Sequence, residues 1–164
     1  MTSFLPRISL DRGRPPFERG KIKNRYRSTQ VIDYTQLRFT NITPTDLDGL
    51  IEWKNKCFIL IELKHMINPE MKTGQRLALE RLCDAVSKPC IIFLGIHDSY
   101  DEDDIKAHNC VLHQFYFKGE WKKPNREYGL LEAIIGFVDK VENGFYSNLS
   151  RQDVCCIRFY SNLN

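Results

Sequence analysis

The sequence predicts an α/β fold in which helices flank a central mixed β-sheet, and three observations carry that expectation. CFILIELK (57–64) and CIIFLGIH (90–97) are apolar at nearly every position, as expected of strands covered on both faces. QRLALERLCDAV (75–86) and YGLLEAIIGFVDKV (128–141) carry apolar residues at helical spacing. The order of elements is strand–strand–strand–helix–strand–strand–helix, which suits an α/β sandwich around a mixed sheet.

The elements follow in order. Residues 1–15 contain Pro6, Gly13 and Pro15 and read as irregular, while 16–28 has the composition of a short basic helix weakened by Gly20. LRFTNI (37–42) has strand composition, and Thr43-Pro44-Thr45-Asp46 breaks it because proline disfavours helix before it and cannot donate to a ladder. DGLIEW (48–53) reads as a strand, Lys54-Asn55-Lys56 as a turn, and 57–64 as the returning strand. HMINPEMKTG (65–74) is a loop, 75–86 a helix, 90–97 a buried strand and SYDEDD (99–104) a solvated acidic loop. CVLHQFYFKGEW (110–121) is a long strand or hairpin arm, 128–141 a helix, and VCCIRFY in the tail a further edge strand.

A chain of 164 residues is long enough for one domain with one core. The boundaries implied are a basic N-terminal arm over 1–30, a core over 31–145 and a tail or edge strand over 146–164. No run approaches the ~18 apolar residues of a membrane span, and MTSFLPRISL lacks the apolar core of a signal peptide, so the default is a cytoplasmic protein with no membrane partner. The six cysteines show no zinc spacing and mostly sit in apolar runs, which reads as buried free thiols. The net charge of +3 is uneven: residues 1–30 hold eight basic and two acidic residues, giving +6, against −3 for the remainder. Such an arm suits a polyanion or a solvated tail, and charge alone leaves the two even.

The chemistry sits on the 48–64 hairpin. Glu62-x-Lys64 puts an acid and a base side by side on one strand face, at the end of an apolar run where either is costly unless paired or metal-bound. If the turn centres on Asn55, facing residues have numbers summing to about 110, the register of a tight hairpin. Asp48 then opposes Glu62, and Asp46 opposes Lys64, with facing Cβ atoms ~5 Å apart. Two facing carboxylates repel unless a proton or cation separates them, and Mg²⁺ accepts one or two hard carboxylates with water and phosphate oxygens completing its shell. On the following helix Ala78, Leu79, Leu82, Cys83 and Val86 form one expected core face, with Gln75 near its middle, while Arg76, Glu80 and Asp84 point away. A core-facing glutamine needs a partner, and the end of strand 57–64 is the place for it; a helix-start residue bonded to backbone is the plainer alternative. His97, Trp53 and Trp121 read first as structural residues.

Thr43-Pro44-Thr45-Asp46-Leu47-Asp48-Gly49 followed by Glu62-Leu63-Lys64 resembles the PD-(D/E)XK nuclease superfamily, whose small phage and bacterial members it is most similar to. The resemblance covers about 37–97 and implies a restriction-endonuclease-like core and Mg²⁺- or Mn²⁺-dependent hydrolysis of phosphodiester bonds, in DNA before RNA. It implies Asp48 and Glu62 as metal acids, with Asp46 as the rival first acid, the Leu63 carbonyl as a backbone ligand, Lys64 as the catalytic lysine and Gln75 as a helix-borne site residue. Some members add an acid from an N-terminal helix, a position that Glu18 could fill. Arg19, Lys21, Lys23, Arg25, Arg27 and Arg76 are the candidate nucleic-acid contacts. A non-cleaving nucleic-acid-binding protein is the alternative, and the sequence leaves open a monomer or a homodimer, and endonuclease or exonuclease action.

Overall fold

In a computed structural model, residues 44–100 and 104–145 are described, together with the single positions 37 and 42. The hairpin comes first: β1 (Gly49–Trp53) and β2 (Cys57–His65) pair antiparallel from Gly49 opposite Ile61 to Trp53 opposite Cys57. Facing numbers therefore sum to 110, the register the turn residues imply. Lys54 and Asn55 take φ of 47° and 55°, and Lys56 N–H closes the turn on the Trp53 carbonyl at 2.8 Å. Left-handed backbone at a tight hairpin matches the twist of its strands.

β2 continues into α1 (Thr73–Ala85), which crosses back so that β3 (Cys90–His97) lies parallel to β2, from Phe58 beside Cys90 to His65 beside His97. β4 (Val111–Phe117) pairs antiparallel with β3, shifting register between Leu94 and Gly95. Lys118 and Gly119, at φ of 52° and 88°, turn the chain into β5 (Glu120–Lys122), and α2 (Leu130–Glu142) closes the described part. The result is a five-stranded mixed sheet in the order β1-β2-β3-β4-β5.

The two helices cover opposite faces. On one, Ile59, Ile61, Ile91, Phe93 and Phe115 pack with Leu130, Ala133 and Phe137 of α2. On the other, Leu60, Ile92 and Tyr116 pack with Leu79 and Cys83 of α1. β2 is apolar as far as Ile61 and β3 as far as Ile96, because successive residues face α2 and α1 in turn. At Gly95 a Cβ would come within 2.9 Å of Leu63 Cδ2, so a larger residue there would displace the Leu63 side chain. Among the described residues, Cys57, Cys83, Cys90 and Cys110 are free and buried, as their apolar setting suggests, and no helix is long and apolar enough to cross a membrane.

The buried face of α1 differs from the expected one. Leu79 and Cys83 are buried, but Ala78 and Leu82 are exposed, and Glu80 and Asp84 turn towards the sheet. Glu80 accepts from the Trp121 indole and Asp84 accepts from the Tyr116 hydroxyl at 2.7 Å. These polar tips need acceptors in the half-buried layer, and they rotate the helix about its axis. The expected 110–121 strand is a hairpin, β4 and β5. Of LRFTNI, Leu37 lies in a 3₁₀ turn and Ile42 in an isolated bridge; the rest of it, the 16–28 helix, the 30/31 boundary and VCCIRFY lie outside the described residues.

Candidate active site

The end of β2 is where the apolar run stops, and its even-numbered residues face α1. Glu62, opposite the position of Asp48 in the hairpin register, is 2% exposed. Its Oε1 accepts from Lys64 Nζ at 2.5 Å and from Gln75 Nε2 at 2.7 Å. Lys64 comes from the same strand face and Gln75 from the first turn of α1, so the crossover that makes β2 and β3 parallel also delivers the amide. Gln75 Nε2 also lies 3.5 Å from Asp46 Oδ1.

Asp48 is exposed, and its Oδ2 accepts from the Leu63 amide at 2.7 Å. That bond continues the ladder by a side chain just past the last paired residues, Gly49 and Ile61. In an extended strand the N–H and C=O of one residue point to the same edge, so the Leu63 carbonyl faces the side on which Asp48 lies. Asp46, Asp48, Glu62, Leu63, Lys64 and Gln75 are thus linked at one end of the sheet.

The electrostatics centre on Glu62. Burial pushes its carboxyl above the ordinary carboxylate range; hydrogen bonds from Lys64 and Gln75 oppose the shift, and the charge of Asp48 adds to it. Its second oxygen, Oε2, is buried without a hydrogen-bond partner among the described residues. A buried carboxylate oxygen with no donor calls for a proton or a cation. That orphaned atom, with Asp48 close enough to repel it, fits a hard divalent ion bound by one or two carboxylates. No group of three His, Cys, Asp or Glu side chains gathers among the described residues.

Other candidates stand apart. Arg76 pairs with Glu80 at 2.8 Å and its guanidinium lies over Trp121, 5.3 Å from the ring centroid, which leaves it engaged between α1 and β5. His97, by alternation along β3, lies on the α2 face with Phe93, opposite the carboxylates, and its Nδ1 is buried without a partner among the described residues. Trp53 is half-buried against the α2-side core, and its indole donates to Glu142 at 2.7 Å. Glu18, Arg19, Lys21, Lys23, Arg25 and Arg27 lie outside the described residues. The bond from the Leu63 amide to Asp48 had no counterpart in the sequence reading; the hint available was that Asp48 falls one position past the paired hairpin. No protein-family model, curated protein or solved structure matches the chain.

Proposed function

We propose that the protein is a metal-dependent nuclease that hydrolyses phosphodiester bonds, in DNA first, on a restriction-endonuclease-like core. The observation that carries the proposal is the environment of Glu62, where one oxygen is held by Lys64 and Gln75 and the other is buried beside Asp48 without a donor among the described residues. The ordering of the elements supports it: an antiparallel hairpin, a helical crossover and a parallel strand place acid, acid, lysine and glutamine together.

Asp48, Glu62 and the Leu63 carbonyl would hold Mg²⁺ or Mn²⁺, with Asp46 as the alternative acid reached through Gln75. Such an ion lowers the pKa of water and offsets charge on the attacked phosphate. Gln75 orients Glu62, so that the carboxylate does not turn away from its site. Lys64, partly exposed at the end of the same strand, would exchange its bond to Glu62 for the phosphate, or, once it has released its own proton to solvent, take the proton of the attacking water as the neutral amine. A second reading, a non-cleaving nucleic-acid-binding protein, draws on the +6 of residues 1–30. Incubation with linear, circular and branched DNA in Mg²⁺, Mn²⁺ and Ca²⁺ separates them. Cleavage in Mg²⁺ or Mn²⁺ that Glu62→Gln abolishes supports the nuclease, whereas binding without cleavage in every metal supports the binder.

A further inference from the structure

The turn that follows Lys64 is held from three sides. Asn68 N–H donates to the His65 carbonyl at 2.9 Å, and Met66 N–H donates to the His97 carbonyl at 2.8 Å. Ile67 N–H donates to His65 Nδ1 at 3.3 Å, and the His65 and His97 rings meet edge to face with centroids 5.4 Å apart. Three consecutive amides are therefore satisfied by the ends of β2 and β3. What this fixed turn displays is apolar: Met66 is 55% exposed and Ile67 is 85% exposed. Tight turns are ordinarily filled by Gly, Asn, Asp, Ser or Pro. Two large aliphatic side chains at the centre of one contribute nothing to the core and leave apolar surface in water. Ile67 is also stiff at χ1, so on a fixed backbone it loses little entropy when something closes around it.

We infer that Met66 and Ile67 form an apolar wedge that enters the base stack beside the phosphate handled at Glu62 and Lys64, and that the substrate is DNA whose stacking is already interrupted, at a nick, mismatch or branch. This rests on the nuclease reading. Ile67 is three residues beyond Lys64, at most ~10 Å along an extended chain, and duplex grooves are roughly 6–12 Å wide. A phosphate beside Lys64 therefore leaves the bases that adjoin it within reach of the turn. On exchanging its bond to Glu62 for the phosphate, the adjacent Lys64 would supply positive charge to the backbone while the turn supplies apolar surface to the bases. Apolar side chains inserted between base steps unstack them and kink the helix, and unstacking is least costly where the stack is already broken.

The test uses the full chain in Ca²⁺, with 2-aminopurine placed beside a nick and at the matching position of an intact duplex. Wild-type protein should bind the nicked duplex more tightly and raise its fluorescence as the probe unstacks. Met66→Ser/Ile67→Ser should remove the rise and reduce the preference for nicked DNA by about tenfold, the scale of one lost aliphatic contact. Ile67→Leu should keep both. Both positions are exposed, so the serine variants leave the core intact. If wild type binds and cleaves DNA but the probe stays silent, or the double variant keeps the preference, the wedge is overturned while the nuclease stands. If wild type binds no DNA, both fall. If the double variant instead abolishes self-association in sedimentation and leaves DNA binding unchanged, the turn is an interface between copies and the wedge is overturned.

Discussion

At Glu62 one carboxylate oxygen takes two donors and the other takes none among the described residues, and the consequences can be measured in the protein without DNA. A carboxyl held above its ordinary range favours the folded state most when protonated, so its contribution is present at low pH and is lost as pH rises through the raised value. Glu62→Gln removes the charge and keeps an acceptor for Lys64 and Gln75. It should stabilise the metal-free protein at pH 8 by about 1–3 kcal/mol, the scale of a buried polar atom without a partner. The gain should shrink as pH falls into the carboxylate range, and thermal melts at both ends of that interval check it. Saturating Mg²⁺ should raise the wild-type melting temperature and leave that of Glu62→Gln unmoved, because an ion that binds only the folded state stabilises it by mass action. A variant less stable than wild type at pH 8 would show that Glu62 is simply a well-satisfied ion-pair partner. Lys64→Met retains the stem of a side chain that is 26% exposed and removes its charge. Cleavage under single-turnover conditions should fall by ~10²–10⁴ while binding in Ca²⁺ is largely kept, the range for loss of one acid–base group. Wild-type cleavage by Lys64→Met would remove Lys64 from the chemistry.

At the scale of elements, the hairpin was legible because two local signals agree. Lys54-Asn55-Lys56 fixes the turn, and the apolar run from Cys57 fixes which residues are strand, so the register followed from the sequence alone. The position of Gln75 was legible for a related reason, since a polar residue in line with Leu79 and Cys83 must find a partner under the sheet. The exact seating of α1 was not legible. It depends on Tyr116 and Trp121, which lie on β4 and β5, over thirty residues from the helix positions they engage. An apolar helical stripe carries no trace of an indole or hydroxyl waiting in another strand, so Leu82 was placed inside and Glu80 and Asp84 outside. The seating is testable by stability. Tyr116→Phe should cost about 0.5–1.5 kcal/mol in urea unfolding, the net value of one intramolecular hydrogen bond. Leu82→Ala should stay within about 0.5 kcal/mol, as surface substitutions do. If Leu82→Ala proved the more damaging, α1 would be rotated towards the apolar stripe.

At the scale of the whole molecule, the described residues put the proposed chemistry at one end of the β2–β3 pair, at the carboxyl ends of two parallel strands, the end at which α/β sheets commonly bind ligands. The charge of the chain is arranged differently. All eight basic residues of the first thirty fall within 7–27, with Asp11 and Glu18 the only acids among them, while the remainder carries −3. A polyanion releases a condensed counterion for each phosphate that a Lys or Arg neutralises, so the logarithm of affinity falls with the logarithm of salt by about 0.9 per contact. If half of the eight residues touch phosphate, deleting 7–27 should flatten that slope by about 3–4. The same deletion should leave the single-turnover rate at saturating DNA nearly unchanged, because Asp48, Glu62, Lys64 and Gln75 all lie outside it. The two readouts together would separate a part that gathers substrate from a part that cuts it. An unchanged salt slope would show that the arm makes no phosphate contact, and a collapsed rate at saturation with the slope unchanged would place a residue of the chemistry, such as Glu18, inside 7–27.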